Sequence, residues 1–208
     1  MSELVFTVDA IGDGALTNSL IDRSVTEVID ENCTALGKNC LSGATQLKKI
    51  HFENVTSISS DVCLSCTMLE SISFPKVTYL GSCSFAGLTS LKEIHMPKLS
   101  SISKQYAFQG CTSLKKVDLP KLGFMGVGAS YSCGVFNECT ALDTFILRNE
   151  TVCKLDNTSA LASTPIRRGN GYVYVPAALL ESYEADQFWG NMNIQFRAIE
   201  DYPDICGG

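Results

Sequence analysis

The chain has 208 residues, 45% of them hydrophobic, with 22 acidic against 16 basic side chains and a net charge of −6. That length can build one substantial core, while an acidic balance without a basic run makes nucleic acid a poor partner, because affinity there rests on neutralising phosphates. No stretch approaches about 18 consecutive apolar residues, so no membrane insertion is expected.

Residues 1–18 read as an N-terminal extended segment. The start has neither a basic region nor an apolar run, so it is not a secretory signal. Either the protein is not exported by that route or its start has been trimmed. Val5 to Val8 reads as an alternating strand. An exposed strand edge there would be the place for self-association, which leaves a homo-oligomer open as a partner.

From 19 to 166 the chain repeats itself. Four units open with Leu, two polar residues, an aliphatic residue, one more residue and another apolar one: Leu47 to Phe52, Leu69 to Phe74, Leu91 to Met96 and Leu114 to Leu119. A fifth runs from Leu142 to Leu147, and the starts step by 22, 22, 23 and 28 residues. Such a period signals a leucine-rich solenoid, whose units bury their apolar edges only against stacked neighbours. Each opening has the period of two of a short strand, so stacking predicts a parallel sheet with rungs roughly 4.8 Å apart. Pro75, Pro97 and Pro120 lack an amide hydrogen and mark where strands stop. The closing fours, such as Phe85 to Leu88 and Phe108 to Cys111, suit one turn of helix or 3₁₀ helix on the other side. A degenerate turn occupies about residues 20–46, beginning at Leu20, Val25 and Val28. The expected solenoid has about six turns.

The Leu114 unit carries an insertion from Gly123 to Gly134. Phe124, Ser130 and Tyr131 would sit in a glycine-rich loop that is either a binding element or a tolerated surface bulge. Residues 167–208 read as a C-terminal strand–helix cap. Tyr172 to Val175 forms the strand, and Ala177 to about Gln187 the helix behind Pro176. Phe188, Trp189, Ile194, Phe196 and Ile199 supply the apolar surface that an open solenoid end needs.

Four of the ten cysteines follow the repeat phase rather than a disulfide or zinc pattern, while those at 33, 40, 83, 133, 153 and 206 fall outside it and leave one or two incidental disulfides open. Cys66, Cys111 and Cys139 stand in the slot of Leu88, and Cys63 stands in that of Phe85. They read as small buried hydrophobes forming a core ladder. Cys63 and Cys66 are the only CxxC pair, where a zinc ribbon needs two. His51 and His95 are two rungs apart, roughly 9.6 Å, too far to share a metal. No nucleophile elbow, phosphate loop or zinc-protease motif is present, so neither catalysis nor a cofactor is expected.

The outward positions of the strands form three mixed columns. The first is Lys49, Ser71, Glu93, Lys116 and Thr144. The second is His51, Ser73, His95, Asp118 and Ile146. The third is Glu53, Pro75, Pro97, Pro120 and Arg148. Polar and varied outside, apolar inside, they look like a ligand surface on a rigid scaffold, although solvation alone also places polar residues there.

The unit Leu-x-x-Ile/Val-x-Phe/Leu-Pro-Lys-Val/Leu-x-x-Ile/Leu-x5-Phe-x-x-Cys-Thr-x-Leu resembles the BspA-like leucine-rich repeats. The fit is close in Leu69–Ser90 and Leu91–Ser113, and it covers about two thirds of the chain. The segment from Tyr172 through Tyr183 and Trp189 to Ile199 is similar to the terminal segment often found after such repeats. The resemblance implies a bacterial surface protein that adheres to host matrix or other cells. Similar chains are also phage or prophage tail-associated, which fits the missing signal. The resemblance brings no catalytic residues. The expected function is thus a binding or adhesion module for a protein or glycan on a cell surface or host matrix, at the cell surface or on a virion. The alternative is a structural spacer in a phage tail or surface assembly.

Overall fold

The computed structural model describes residues 2–5, 8–17, 24–126 and 134–207, with backbone alone for 2–5. Leu20, Ser130, Tyr131 and Cys133 therefore lie outside the described residues.

Each rung has three sides. The front side is a parallel sheet of the strands Ser2–Val5, Val25–Asp30, Lys49–Phe52 and Ser71–Ser73, continued by Glu93–His95, Lys116–Asp118, Thr144–Ile146, Tyr172–Val175 and Gln195–Ala198. The second side is a narrower parallel sheet of two-residue strands such as Ser57–Ile58, Tyr79–Leu80 and Ser101–Ile102. Alternation explains the front strands: Ile50 and Phe52 are buried while Lys49 is exposed. Register follows the repeat, with Lys49 opposite Ser71, and Lys116 between Glu93 and Thr144.

The sheet runs further than the recognisable repeats. Ser2–Val5 pairs in parallel with Val25–Asp30, Tyr172–Val175 pairs with Thr144–Ile146, and Gln195–Ala198 pairs with Tyr172–Val175. The front side thus continues into both terminal segments. The expected helix after Pro176 is shorter than its sequence suggests, a 3₁₀ turn at Ala177–Leu179 leading into Leu180–Glu184. It delivers Tyr183 to the core, where the hydroxyl accepts from Cys153 N–H at 2.9 Å and Trp189 Nε1 donates to the Cys153 carbonyl at 2.6 Å. Both rings are fully buried, so their polar tips close the end of the core without an unpaired group.

The third side is built of turns. Within the repeats, the closing fours keep the i to i+3 bond of a 3₁₀ helix, as in Cys66 N–H to Cys63 carbonyl, without continuing as helices. Alternate amides instead donate to the next rung: Cys63 to Ser84, Phe85 to Ala107, Phe108 to Val135. A helix would spend those amides internally, so rung-to-rung bonding replaces it. The geometry needs a left-handed residue late in each turn. Gly43, Gly87 and Gly110 supply it, whereas Ser65 and Glu138 adopt it at φ 61° and 63°.

Inside, the front and closing residues stack along the axis. Phe85, Phe108 and Phe136 lie nearly parallel at centroid spacings of 5.4 and 5.2 Å, and Phe52 stacks on Phe74 at 5.7 Å. The nine described cysteines are free, and those of the predicted ladder are fully buried. The ladder has a polar use as well. Sγ of Cys66 donates to the Leu41 carbonyl at 3.0 Å, Cys111 to Phe85 at 3.2 Å and Cys139 to Phe108 at 3.1 Å. A small hydrophobe with a weak donor suits a buried slot that faces the previous rung's carbonyl.

Two measurements follow from this core. Phe108→Ala removes the middle ring of the stack and is expected to cost about 3–5 kcal/mol in urea unfolding; a loss under about 1 kcal/mol would contradict the stack. Burial pushes the Cys40 and Cys153 thiols up to about 12 from an ordinary 9.0. The unfolded chain therefore releases these protons first as pH rises. The thiols' contribution is complete below pH 9 and is lost as pH climbs toward about 12. Replacing both by alanine should flatten that alkaline loss, read as unfolding midpoint against pH.

Candidate binding face

The strand columns stand in the register the repeat phase gives them, and six members, His51, Ser73, Glu53, His95, Asp118 and Arg148, are tied to one another. Lys49 pairs with Glu27 at 3.9 Å, extending the first column one rung earlier than the repeats revealed. His51 Nδ1 meets Ser73 Oγ at 2.8 Å, and its Nε2 lies 3.6 Å from Glu53. Lys76 joins Glu53 at 3.7 Å and donates to Asn54 Oδ1 at 2.6 Å. His95 Nδ1 lies 3.4 Å from Asp118, which also takes the Arg148 guanidinium at 3.3 and 3.2 Å. Exposed pairs of this kind add little stability. Their effect is to fix side-chain directions on a face already rigid.

Phe124 is not on this face. It lies in the strand Phe124–Met125 of the second sheet, opposite Ser101 and Lys154. Tyr131 lies outside the described residues. Among the described residues, no group of three or more His, Cys, Asp or Glu is placed to hold a metal ion.

The front sheet has one interruption among the described residues. Hydrogen-bonded pairing runs from Ser2–Val5 to Ser71–Ser73 and resumes at Glu93–His95, with no ladder between the two. The second sheet breaks at the same level, between Tyr79–Leu80 and Ser101–Ile102. The turn side stays joined there, through Cys83 to Gln105, Phe85 to Ala107 and Gly87 to Gln109. The seam thus lacks a ladder on two sides and keeps its bonds on the third. Ile72 shows the consequence: it is half-buried, whereas Ile50, Ile94 and Val117 in the same inward column are buried. A cleft of about 450 Å³ lies along the seam, with Ile72, Phe74 and Ile94 in its lining and Glu93, His95 and Lys116 among its polar groups.

Beyond the seam, the C-terminal residues fold back over the same face. Lys116 Nζ donates to the Ile205 carbonyl at 2.8 Å, and Arg148 donates to the Cys206 carbonyl. Tyr172, Tyr174, Arg197 and Tyr202 join the face here, none of them anticipated as site residues. Burial pushes the Tyr174 phenol up against the opposing effect of Arg197. The one sequence signal was Ile146, an apolar residue in an otherwise polar column. It is fully buried because the tail covers it.

Comparison with known proteins agrees with this architecture. No curated protein matches the chain. Among solved structures it is similar to a leucine-rich repeat protein of T. pallidum, with TM-score 0.58 and 17% identity over 86% of this chain and 80% of that one. A leucine-rich repeat protein of Bacteroides ovatus aligns over 92% of this chain and 76% of that one, at 17% identity and TM-score 0.48. The first likeness shows the fold. A family profile described as "BspA type Leucine rich repeat region" matches in six copies, over residues 3–76 and 56–168. The chain belongs to the BspA-type leucine-rich repeat family.

Proposed function

We propose that this protein is a non-enzymatic binding module that attaches to a protein or glycan on a cell surface through its front sheet. The observation that carries the reading is the cleft at the seam. There the sheet's own ladder is interrupted, the inward residue Ile72 is reachable, and Glu93, His95 and Lys116 contribute polar groups to the lining. An apolar floor with a few convergent polar groups is the common composition of a recognition site. The surrounding rungs are held by stacked cores, so little order has to be created when a ligand arrives. Family membership supports a place at a bacterial surface, where such repeats serve adhesion.

The test is binding of the fluorescently labelled protein to intact bacterial cells and, in parallel, to matrix proteins and epithelial cells. Saturable binding to one panel is expected. Glu93→Ala, His95→Ala and Lys116→Ala combined should weaken it about tenfold or more, equivalent to about 1.4 kcal/mol. Stability should move by no more than about 0.5 kcal/mol per site, as for surface groups. Full affinity in the triple variant would contradict the front face as the site, and silence on both panels would contradict the binding reading.

A further inference from the structure

The tail that crosses the front sheet is not part of the solenoid core. Ile146, Tyr174 and Cys206 form a cluster of their own with Tyr172, Ile199 and Tyr202, on the opposite face of the sheet from the main core. The tail itself stays largely outside: Glu200, Asp201, Pro203, Asp204 and Ile205 are exposed, while Cys206 is 3% exposed beneath them. Its polar anchors are few: Lys116 and Arg148 hold the Ile205 and Cys206 carbonyls, and the Glu200 carboxylate accepts from the Ala177 N–H at 3.0 Å. Arg197 stacks with its guanidinium carbon 3.4 Å from the Tyr172 ring centre and 4.7 Å from that of Tyr202. Tyr202 meets Tyr174 edge-on at 5.5 Å.

What the tail covers differs from the rest of the face. Elsewhere the outward columns carry polar residues and the three strand-ending prolines, without an aromatic; around the tail lie Tyr172, Tyr174, Ile146, Arg148 and Arg197. Tyrosine and arginine are the groups that dominate protein interfaces, because they bury much area and lose little freedom. The two cations here hold consecutive main-chain carbonyls, an arrangement that a peptide backbone supplies. The seat also leads into open surface. A second cleft, about 470 Å³, is bounded by Cys206 and Gly207 of the tail, and His95 and Asp118 line both this cleft and the one at the seam.

We propose that this half of the front face is a peptide-binding site and that residues 199–207 are its tethered occupant, displaced by a partner segment of the same chemistry. Such a segment offers two carbonyls to Lys116 and Arg148, an aromatic ring to Tyr174 and Arg197, and a small apolar side chain in the place of Cys206. The proposal rests on the front-face reading and names its ligand class. Because the solenoid core closes without the tail, displacement needs only a local opening. A tethered segment competes at an effective concentration near the millimolar range, so a free competitor must be supplied at that level.

The experiment uses the intact chain, with alkylation followed cysteine by cysteine by mass spectrometry. The competitor is a synthetic peptide of residues 199–207 carrying Cys206→Ser. Cys206 should be alkylated about tenfold or more faster than Cys66, Cys111 and Cys139, which react only through global unfolding. Millimolar peptide should raise the Cys206 rate severalfold and saturably. Arg148→Ala should raise the peptide-free rate while the core thiols stay protected, which shows that the fold is intact. Cys206 reacting in step with the core thiols, or a rate indifferent to the peptide, overturns the assignment. Because Lys116 also anchors the tail, the surface-binding test is repeated with Glu93→Ala and His95→Ala alone, which leaves both carbonyl anchors in place, so the two readings fail separately.

Discussion

Everything in this molecule depends on the need of each rung for its neighbour. A rung of some 22 residues has one apolar edge and no second layer to press it against, so burial comes only from stacking. That constraint dictates the inward columns: aromatic rings at Phe85, Phe108 and Phe136, aliphatic residues at Ile50 and Ile94, and thiols at Cys66, Cys111 and Cys139 that also satisfy the previous rung's carbonyl. It also releases the outward columns. With the main core carried from within, the front side chains outside the cluster of Ile146 and Tyr174 have no part in it, and their chemistry can follow a ligand.

The proposed binding surface lies where stacking is least complete. At the seam, two of three sides lose their ladder while the turn side keeps its bonds, which opens the front just enough to reach Ile72. At the C-terminal end, Tyr183 and Trp189 seal the core around Cys153, and the remaining residues are free to lie over the front sheet. The cleft and the tail's seat share His95 and Asp118 at their border, so the two departures from regular stacking form one continuous surface.

The sequence displayed the inward pattern clearly, since Leu47, Ile50 and Phe52 recur with both strand period and repeat period. Register and the outward columns follow from that alone. The closing turns were harder to read, because Phe-x-x-Cys spacing is common to a helical turn and to i to i+3 turns that bond outward to the next rung. The seam left no mark at all. It falls between the Leu69 and Leu91 units, the two closest to the repeat pattern. The tail's position was equally hidden, because it depends on residues 58 and 89 positions apart meeting across the sheet. Ile146 carried the only trace, an apolar side chain whose cover came from elsewhere in the chain. Phe124 belongs by sequence both to the second half of its unit and to the glycine-rich insertion, and its rung places it on the second sheet.

The most direct measurement is native-state hydrogen exchange, resolved by residue, on the unliganded protein. The sealed core forms one cooperative unit, and the tail over the proposed binding surface is the part expected to open without it. Amides of Ile205 and Cys206 should then exchange well before those of Val117 and Phe145, in a step insensitive to low denaturant. Tail amides protected as strongly as the front strands, and released only with them, would make the tail a structural part of the solenoid and contradict the account.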